Sequence, residues 1–330
     1  MTFWKGKTVL VTGAGGFIAS HLVELLMKQE AKVRAFVRYN SRNDPGLLSL
    51  LPPATLHDIE LIAGDLRDLQ AVQSAIRNVD IVFHLGALIT IPYSYLHPLE
   101  VVETNVIGTV NILMACRDFG VQRLVHTSTS EVYGTALSTP IDESHPLQGQ
   151  SPYSASKIGA DKLAESFYKS YDTPVVTIRP FNTYGPRQTA RAVIPTIITQ
   201  ALSQQTVNLG NLNASRDLTY ISDTVAGILK SAEISGIEGE TINLGSGYEI
   251  QIGELAREII SIIGKPVEIV VDNTRLRPDK SEVQRLLSDN SKAKRILRWE
   301  TKIPLTQGLE MTIEWIKQNL DRYQIGIYEI

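Results

Sequence analysis

The sequence predicts an α/β fold in which helices cover both faces of a doubly wound parallel sheet, followed by a smaller lobe. Over the first 185 residues, short runs rich in β-branched residues alternate with segments of helical periodicity, which is typical of parallel sheets. Three glycines lie directly after the first of these runs. Beyond Pro186 the alternation gives way to a less regular mixture of helices and strands. Together these observations predict a sheet domain with a mixed α/β lobe at its C-terminal side.

The elements of the N-terminal part follow from local pattern. Strands are predicted where apolar and β-branched residues run together, and helices where apolar residues recur every three or four positions, as Leu22, Leu25 and Leu26 do. Asp68 is expected to cap the helix that follows it. The predicted strands are residues 7–13, 32–38, 57–66, 80–88, 123–129 and 174–185, and the predicted helices are residues 20–30, 69–79, 98–119 and 151–171.

The C-terminal part is expected to return to the sheet once. Helices are predicted near 192–205 and at 222–234, and the segment ETINLGSG, which begins at Glu240, is predicted as a strand. We expect this second helix and the strand to rejoin the sheet. Residues 1–185, together with 222–247, are therefore assigned to the first domain. The remainder of 186–330 is assigned to the smaller lobe, which the segments 252–264, 266–272, 291–299 and 304–320 complete.

Composition excludes several classes of protein. The chain has 330 residues, 43% of them apolar, and a formal net charge of −3. It can therefore bury a large core, and its overall charge does not suggest a nucleic acid or a membrane as partner. No apolar run is interpreted as a signal peptide or as a membrane span. The single cysteine, Cys116, is expected to be a buried thiol and fits a cytoplasmic location. No residues have metal-ligand spacing, so no metal site is predicted.

The glycine cluster predicts a dinucleotide site. Gly13, Gly15 and Gly16 lie between the first strand and its helix, and Phe17 and Ile18, which follow the glycines, are also expected at the cofactor. Glycine there permits a tight turn and lets backbone N–H groups meet a pyrophosphate at the helix N-terminus. A strand–turn–helix context is what distinguishes such a motif from an ordinary turn. We therefore predict a Rossmann-like doubly wound sheet that binds NAD or NADP.

The end of the second strand favours NADP over NAD. NAD sites usually have an acidic residue there, which holds the ribose diol. This sequence has Arg38 instead, followed by Asn40 and Ser41, and arginine pairs well with a 2′-phosphate. An ordinary surface arginine is the alternative. His84 is interpreted as a packed strand residue. The other residues expected beside the cofactor are Asp65, Leu66, Leu85, Gly86, Ala87, Asn105 and Phe181.

The motifs in combination resemble those of the extended short-chain dehydrogenase/reductase family of nucleotide-sugar enzymes, over nearly the whole chain. The resemblance implies a nicotinamide cofactor in the N-terminal domain and a nucleotide-diphosphate sugar in the C-terminal substrate lobe. It also implies a homodimer joined through helices such as 98–119 and 151–171. The segments that carry it are TGAGGFIASHL, GDLRD, HLGA, TNVIGT, TSTSEVYG, SPYSASK, RPFNTYGPRQ, RDLTYISD, NLGSG and RPDKSEV.

Within this resemblance, Tyr153 and Lys157 are the expected catalytic pair. They are four residues apart on one predicted helix, so both side chains point to the same side. An unperturbed tyrosine pKa of about 10 is too high for a base at neutral pH, and a nearby ammonium and a nicotinamide cation both favour the phenolate. Tyr153 is expected to take a proton from a sugar hydroxyl, to which Thr129 also binds. Lys157 is expected to hold the nicotinamide ribose as well.

Glu131 indicates a second chemical step. A sugar 4-epimerase needs only oxidation, rotation and reduction, and no further carboxylate. Once C4 is a ketone, however, the neighbouring C5–H is acidic. Glu131 is expected to remove that proton as water leaves C6, with hydride returned to C6. The predicted activity is therefore that of a nucleotide-sugar 4,6-dehydratase, a lyase that forms a 4-keto-6-deoxy sugar.

Ser130 departs from the Thr-Asp-Glu pattern of glucose-type 4,6-dehydratases, in which the aspartate is the acid for the leaving hydroxyl. Thr-Ser-Glu resembles GDP-mannose 4,6-dehydratases and UDP-glucuronate decarboxylases. Arg38 favours the first group, because those enzymes have a basic, NADP-using pattern. Several segments also resemble dehydratases acting on nucleotide-linked N-acetylhexosamines in legionaminic-acid-type pathways. A decarboxylase and then a 4-epimerase remain alternatives. A non-catalytic NADP sensor is disfavoured because the Tyr–Lys pair is retained.

The expected substrate contacts are carried over from the same resemblance. Asn182, Arg216 and Arg277 match positions that hold the diphosphate, and two converging arginines suit that group chemically. Solvated loop arginines are the alternative. The further residues expected at the substrate are Thr90, Tyr93, Arg187 and Val193.

Overall fold

The computed structural model describes residues 3–326 and contains a seven-stranded, entirely parallel sheet. The described strands are β1 (Thr8–Thr12), β2 (Lys32–Arg38), β3 (Glu60–Gly64), β4 (Ile81–His84), β5 (Arg123–Thr127), β6 (Val175–Pro180), β7 (Asn182–Tyr184), β8 (Thr206–Leu209), β9 (Ser215–Tyr220), β10 (Thr241–Leu244), β11 (Glu249–Gln251), β12 (Glu268–Val271) and β13 (Arg285–Leu286). The order in the large sheet is β3-β2-β1-β4-β5-β6-β10. This is the doubly wound order with one additional strand, so the predicted fold class is confirmed.

Helices cover both faces of this sheet because its strands are apolar on both sides. Val9 and Val11 of β1 face one core and Leu10 faces the other, and all three are fully buried. The described helices are α1 (Phe17–Lys28), α2 (Pro53–His57), α3 (Leu69–Ile76), α4 (Ile91–Leu96), α5 (Pro98–Val102), α6 (Gly108–Phe119), α7 (Pro152–Tyr171), α8 (Val193–Ser203), α9 (Ile221–Glu233), α10 (Ile252–Ile263), α11 (Ser291–Leu297) and α12 (Leu305–Gln318).

The two cores have different partners. Helices α1 and α9 contribute to the core that contains Val9, and this core continues into the C-terminal lobe. Helices α3, α6 and α7 contribute to the core that contains Leu10. Cys116 of α6 lies in the second core, where burial raises the pKa of its thiol. The expectation of a buried, structural cysteine is therefore confirmed.

Most predicted elements are present, but several boundaries are wrong. The strand predicted at 57–66 is β3 alone, because the Pro-rich segment before it forms α2. The strand predicted at 174–185 is divided at Phe181 into β6 in the large sheet and β7 in a smaller one. The helix and strand expected to rejoin the sheet do so: α9 packs on β5 and β6, and β10 pairs with β6. The division into domains at residue 185 remains a prediction.

The C-terminal lobe is built on two small sheets. Strand β9 pairs with β7, β11 and β13, and β8 pairs with β12. Helices α8, α10 and α12 pack against one another beside these sheets. Because β7 follows β6 directly, the lobe is joined to the carboxyl edge of the large sheet, where the predicted site residues lie.

One continuous helix has the length and composition of a membrane span, although no span was predicted from the sequence. Among the described residues, Pro98–Phe119 is long and apolar enough to cross a membrane by length and composition. Half of the most apolar stretch of this helix is buried inside the protein. Its C-terminal part, α6, packs against α3 and α7. Residues 103–107 within it form a π-helical turn, a feature that is frequent at functional sites.

The cap of α3 provides a test of the fold. The side chain of Asp68 accepts hydrogen bonds from the backbone N–H groups of Gln70 and Ala71 at 2.9 and 3.3 Å, as predicted. Replacing Asp68 with alanine should lower the free energy of unfolding by about 1 kcal/mol, because these N–H groups lose their acceptor. Urea unfolding would measure this. Asp58→Ala, an exposed aspartate that caps no α-helix N-terminus, is the control and should change stability by less than about 0.5 kcal/mol. Equal losses would contradict the capping role.

Candidate active site

The glycine turn after β1 is shaped by close backbone approach. Gly13 has φ +67°, and a Cβ atom there would lie 2.7 Å from Cα of Gly86, in the loop after β4. At Gly15 a Cβ atom would lie 2.7 Å from the carbonyl oxygen of Pro45. Gly16 is the N-cap of α1 and has no capping side chain. The turn therefore leaves the N-terminus of α1 bordered by backbone alone, which is the arrangement that a pyrophosphate requires.

A second feature of a dinucleotide site lies next to this turn. A cavity of about 130 Å³ is bordered by Gly13, Arg38, Asp65, Leu66 and Gly86. It opens between the carboxyl ends of β1, β2 and β3 and the loop after β4, at the point where the strand order reverses. Ligands of doubly wound sheets bind at this point. The chain therefore fits the predicted dinucleotide. Ala87 also borders this cavity.

The charged side chains near the end of β2 form ion pairs with other residues of the protein. Arg38 is largely exposed and lies 3.3 Å from a carboxylate oxygen of Glu100. Asp65 binds Arg67 at 2.7 Å, and this hydrogen bond lowers the pKa of the Asp65 carboxyl. The Asp65 carboxylate is therefore paired with Arg67. Arg38 borders the cavity and has only a longer, exposed ion pair with Glu100.

Two predicted cofactor contacts have other partners. Asn40 Oδ1 accepts from the backbone N–H groups of Arg42 and Asp44, so its side chain holds its own loop. Ser41 is exposed in that loop. Asn105 is buried in the π-helical turn, and its amide binds both backbone groups of Leu88 at 2.8 and 2.9 Å. Asn105 therefore holds the loop after β4 in place, and this loop borders the cofactor cavity.

His84 is part of a closed hydrogen-bond chain. Thr109 Oγ1 donates to the carbonyl oxygen of Asn105, so it accepts from His84 Nε2 at 3.1 Å. Thr12 Oγ1 accepts from the N–H of Gly86 and donates to His84 Nδ1 at 2.8 Å. Burial lowers the pKa of His84 well below its usual value. The interpretation of His84 as a packed, neutral strand residue is confirmed.

Three catalytic candidates, Thr129, Ser130 and Glu131, lie just after the end of β5. Thr129 is the N-cap of a short 3₁₀ turn, Ser130–Tyr133, and its hydroxyl accepts from the N–H of Glu131 at 3.2 Å. Ser130 is buried, and Glu131 is half-buried. This cap sets the turn at the strand end, from which the Glu131 side chain enters the large cavity described below.

The Tyr–Lys pair is brought to the same place by α7. The helix begins with a capping box between Ser151 and Ser154 and has Pro152 in its first turn. Tyr153 and Lys157 are both buried on its inner face. Burial raises the pKa of Tyr153, and a hydrogen bond with Thr129 opposes this effect. Burial also lowers the pKa of Lys157 to about 8. Its ammonium donates to the carbonyl oxygen of Thr127 at 2.8 Å.

This geometry corrects the argument about the phenol. The sequence predicted that Lys157 would lower the pKa of Tyr153. In the protein alone burial dominates and the pKa of Tyr153 is raised instead. The ammonium of Lys157 is directed to the β5 backbone.

A cavity of about 270 Å³ lies between Glu131, just after β5, and the C-terminal lobe. Glu131 and Arg216 both border it, and the charge of Glu131 opposes the lowering of the Arg216 pKa by burial. Oδ1 of Asn182 and Nη1 of Arg277 are buried without a hydrogen-bond partner. These atoms are available to a polar ligand. Thr90 and Val193 also border the cavity.

Two predicted substrate residues have partners outside the large cavity. Arg187 has φ +71° and directs its guanidinium to Glu24 of α1 at 2.6 Å. Tyr93 donates to Glu100 at 2.5 Å. Neither borders the large cavity. Both were carried over from segment similarity, which does not fix side-chain direction.

The structure adds cavity residues that the sequence did not single out. Arg191 donates to the hydroxyl of Thr90 at 3.0 Å across the cavity wall. Glu282 lies 3.3 Å from Arg216. Gln188 and Arg275 also border the cavity. Gln188 and Glu282 stand in the segments RPFNTYGPRQ and RPDKSEV together with Asn182 and Arg277, so proximity in sequence was the available signal.

The remaining predicted cofactor residues pack at the edge of the core. Phe181 is buried at the junction of β6 and β7, and Phe17, Ile18 and Leu85 pack partly against the main core. Among residues 3–326, no group of three or more His, Cys, Asp or Glu side chains could hold a metal ion.

A dinucleotide turn, a buried Tyr–Lys pair on the helix after β5 and a polar cavity beside them together define the class of extended short-chain dehydrogenase/reductase enzymes. The family model described as GDP-mannose 4,6 dehydratase matches residues 10–312. The chain therefore belongs to this family of nucleotide-sugar dehydratases and epimerases, and the resemblance inferred from the sequence is confirmed.

Individual relatives divide between two activities. The chain is 30% identical to mouse dTDP-D-glucose 4,6-dehydratase, over 96% of this chain and 91% of the relative. The crystal structure of dTDP-glucose 4,6-dehydratase from Streptomyces venezuelae with NAD is 30% identical, with a TM-score of 0.86 over 96% of this chain and 99% of that one. That of UDP-glucuronic acid 4-epimerase from Bacillus cereus with NAD is 28% identical, with a TM-score of 0.87 over 94% and 99%.

Proposed function

We propose that this protein is a nucleotide-sugar 4,6-dehydratase that forms a 4-keto-6-deoxy sugar from a nucleotide-linked hexose or N-acetylhexosamine. The observation that carries the proposal is the position of Glu131. It borders the large cavity, and it is near enough to Tyr153 for its charge to raise the pKa of that phenol. A carboxylate beside the Tyr–Lys pair supplies a second base, which a dehydratase needs and an epimerase does not.

The cofactor would lie along the carboxyl edge of the sheet. The N-terminus of α1 behind Gly13 and Gly16 would hold the pyrophosphate, the cavity lined by Leu66 and Arg38 would hold the adenosine, and Lys157 would contact the nicotinamide ribose. When bound, the nicotinamide supplies oxidation at C4 of the sugar and reduction at C6.

The chain's own groups would handle the protons. Tyr153 would take the proton of the C4 hydroxyl, and Thr129, already hydrogen-bonded to Tyr153, would orient that hydroxyl. Glu131 would then take the proton from C5. Ser130 is a weak acid, so we propose that it positions the C6 hydroxyl and that Glu131 passes the C5 proton to the departing water. Glu131 would then be protonated again from solvent and return a proton to C5 as hydride adds to C6.

The diphosphate would occupy the far part of the cavity. Arg216 and Arg277 would neutralise it, and the unpartnered Nη1 of Arg277 and Oδ1 of Asn182 support this placement. A diphosphate there would leave the hexose between Thr90 and Glu131.

We also propose that the protein is a homodimer in the cytoplasm. The exposed side chains of Leu99 and Ile107 on the helix 98–119 support the dimer, because apolar side chains on one helix can pack against a second copy. Sedimentation velocity would test the oligomeric state.

A panel of nucleotide sugars tests the reaction. We expect mass spectrometry to show loss of water from one or more hexose or N-acetylhexosamine nucleotides. Loss of carbon dioxide from UDP-glucuronate would instead indicate a decarboxylase. A 4-epimer of unchanged mass, found by chromatography, would indicate the epimerase activity of the Bacillus cereus relative. No change in any sugar would contradict catalysis altogether.

The predicted preference for NADP is tested by a separate experiment. Arg38→Ala should weaken NADP binding by about tenfold or more, because it removes a charge-assisted contact to the 2′-phosphate, and should change NAD binding little. Calorimetric titration of both cofactors would measure this. Arg42→Ala, an exposed arginine in the same loop, is the matched control. The two relatives of known structure described above were crystallised with NAD. Tight NAD binding with negligible NADP affinity in the parent protein would overturn the predicted preference for NADP.

A further inference from the structure

A buried carboxylate continues the catalytic face of α7. Asp161 follows Lys157 by four residues and Tyr153 by eight, so the three side chains lie along one side of the helix. The side chain of Asp161 is only 4% exposed. The proposed chemistry does not use it, and a fully buried carboxylate is costly unless it is paired.

Asp161 is paired with two neighbouring strands. Its Oδ1 accepts from Nε2 of His126 in β5 at 3.1 Å. Its Oδ2 accepts from Nε and Nη2 of Arg179 in β6 at 3.0 and 2.9 Å. Burial acts to raise the pKa of Asp161, but the hydrogen bond from His126 and the charge of Arg179 prevail and lower it to about 2. The carboxylate is therefore ionised at neutral pH.

The same network reaches the turn that carries Glu131. Nη1 of Arg179 donates to the Tyr133 hydroxyl at 2.9 Å, and that hydroxyl donates to Oδ1 of Asn243 at 2.7 Å. Tyr133 is the last residue of the 3₁₀ turn Ser130–Tyr133. One buried ion pair thus connects the helix of Lys157 with the turn of Glu131.

We propose that Asp161 is a positioning residue: it keeps Lys157 in the ammonium form and, through Arg179 and Tyr133, fixes the turn that carries Glu131. This inference rests on the proposed function of the Tyr153–Lys157 pair.

The surrounding charges explain why Lys157 needs this partner. Burial favours the neutral amine and lowers the pKa of Lys157 to about 8, and the charge of Asp161 acts in the opposite direction. Burial holds the pKa of His84 and His126 below the usual value, so these neighbours are neutral at pH 7. The titratable groups whose charges interact with Lys157 are His84 on β4, His126 on β5 and Asp161 on α7. Tyr153 lies one helical turn before Lys157 on α7, and Arg179 on β6 joins this group through its hydrogen bonds with Asp161 and with Tyr133 of the 3₁₀ turn.

Direct titration of Lys157 tests the first part of the proposal. In protein labelled with ¹⁵N-lysine, the Lys157 amine resonance is identified by its loss in Lys157→Arg and followed against pH by NMR. Asp161→Asn should lower the midpoint by about one pH unit or more, the lower end of what a nearby opposite charge produces. Asp223→Asn is the matched control. Asp223 is also buried, and it binds the backbone N–H groups of Lys302 and Ile303, so it should leave the midpoint unchanged.

A second variant guards against misfolding. Asp161→Asn leaves the Arg179 charge buried without a partner, which can prevent folding. The double variant Asp161→Asn/Arg179→Gln removes both charges and keeps hydrogen-bonding groups at both positions. Its midpoint should also be lowered, but by less than in Asp161→Asn, because the opposing charge of Arg179 is removed together with that of Asp161. A midpoint equal to that of the parent in every folded variant would overturn the role of Asp161.

Tyr133→Phe tests the connection to Glu131. It should leave the Lys157 midpoint unchanged but slow formation of the dehydrated product by up to about 100-fold, the effect of a displaced catalytic group. Unchanged product formation would overturn this part. If the parent converts no nucleotide sugar, the proposed function fails, whereas the Lys157 midpoint still decides the role of Asp161.

Discussion

Replacing Tyr153 with phenylalanine should nearly abolish turnover while leaving dinucleotide binding intact. The phenol is buried beside Thr129 and Lys157 on the inner face of α7, and it is the group proposed to take the C4 hydroxyl proton. General acid–base catalysis typically contributes about 10²–10⁴-fold to the rate, so a loss in that range is expected. Phenylalanine keeps the ring that packs against the site, so the protein should remain folded.

Two measurements separate this prediction from a general loss of structure. Calorimetry should show that Tyr153→Phe binds the cofactor with an affinity close to that of the parent. Tyr171→Phe removes a phenol from the last turn of the same helix, where the side chain is half exposed, and should retain full activity. A Tyr153→Phe enzyme with a near-normal rate would remove the proposed mechanism.

Glu131→Gln should stop the reaction after C4 oxidation. The amide keeps the shape of the side chain in the cavity and its position beside Arg216, but it cannot accept the C5 proton. A 4-keto hexose should therefore remain on the enzyme, together with the absorbance of reduced nicotinamide. We expect the yield of dehydrated product to fall by about 10²–10⁴-fold. Glu254→Gln, an exposed glutamate on α10, is the control and should turn over normally.

Heavy water tests the same residue without a mutation. If Glu131 exchanges its proton with solvent, the parent enzyme should place deuterium at C5 of its 4-keto-6-deoxy product. A product without deuterium at C5 would contradict proton removal by a Glu131 that exchanges with solvent. Normal turnover by Glu131→Gln would show that Glu131 is not the base.

The fold and the central part of the site could be predicted from local pattern. The glycine turn, the strand alternation and the Asp68 cap depend on residues that are close in sequence, and the structure contains all three. The same holds for Tyr153 and Lys157, because helical spacing alone places them on one face. Thr129 and Glu131 follow β5 directly, so their position at the carboxyl edge of the sheet was fixed once the strand was recognised.

Contacts between distant segments were not predictable in this way. The sequence predicts Arg187 at the substrate, and in the structure its guanidinium binds Glu24, 163 residues away in the chain. Tyr93, also predicted at the substrate, donates to Glu100 on the next helix. Asn105 was expected along the cofactor and holds the backbone of Leu88. In each case the partner lies on another element or loop, and its distance depends on how the helices and loops pack on the sheet.

The sequence by itself therefore determined the class of enzyme, the alternation of strands and helices along the chain, and the residues that can transfer protons. Only the tertiary structure decided the protonation of those residues and the direction of the charged side chains around them. Burial between α7 and the sheet raises the pKa of Tyr153 and lowers that of Lys157. It also brings Asp161 against His126 and Arg179. These effects arise from removing charged groups from water and placing them beside partners on other strands, which no local pattern records.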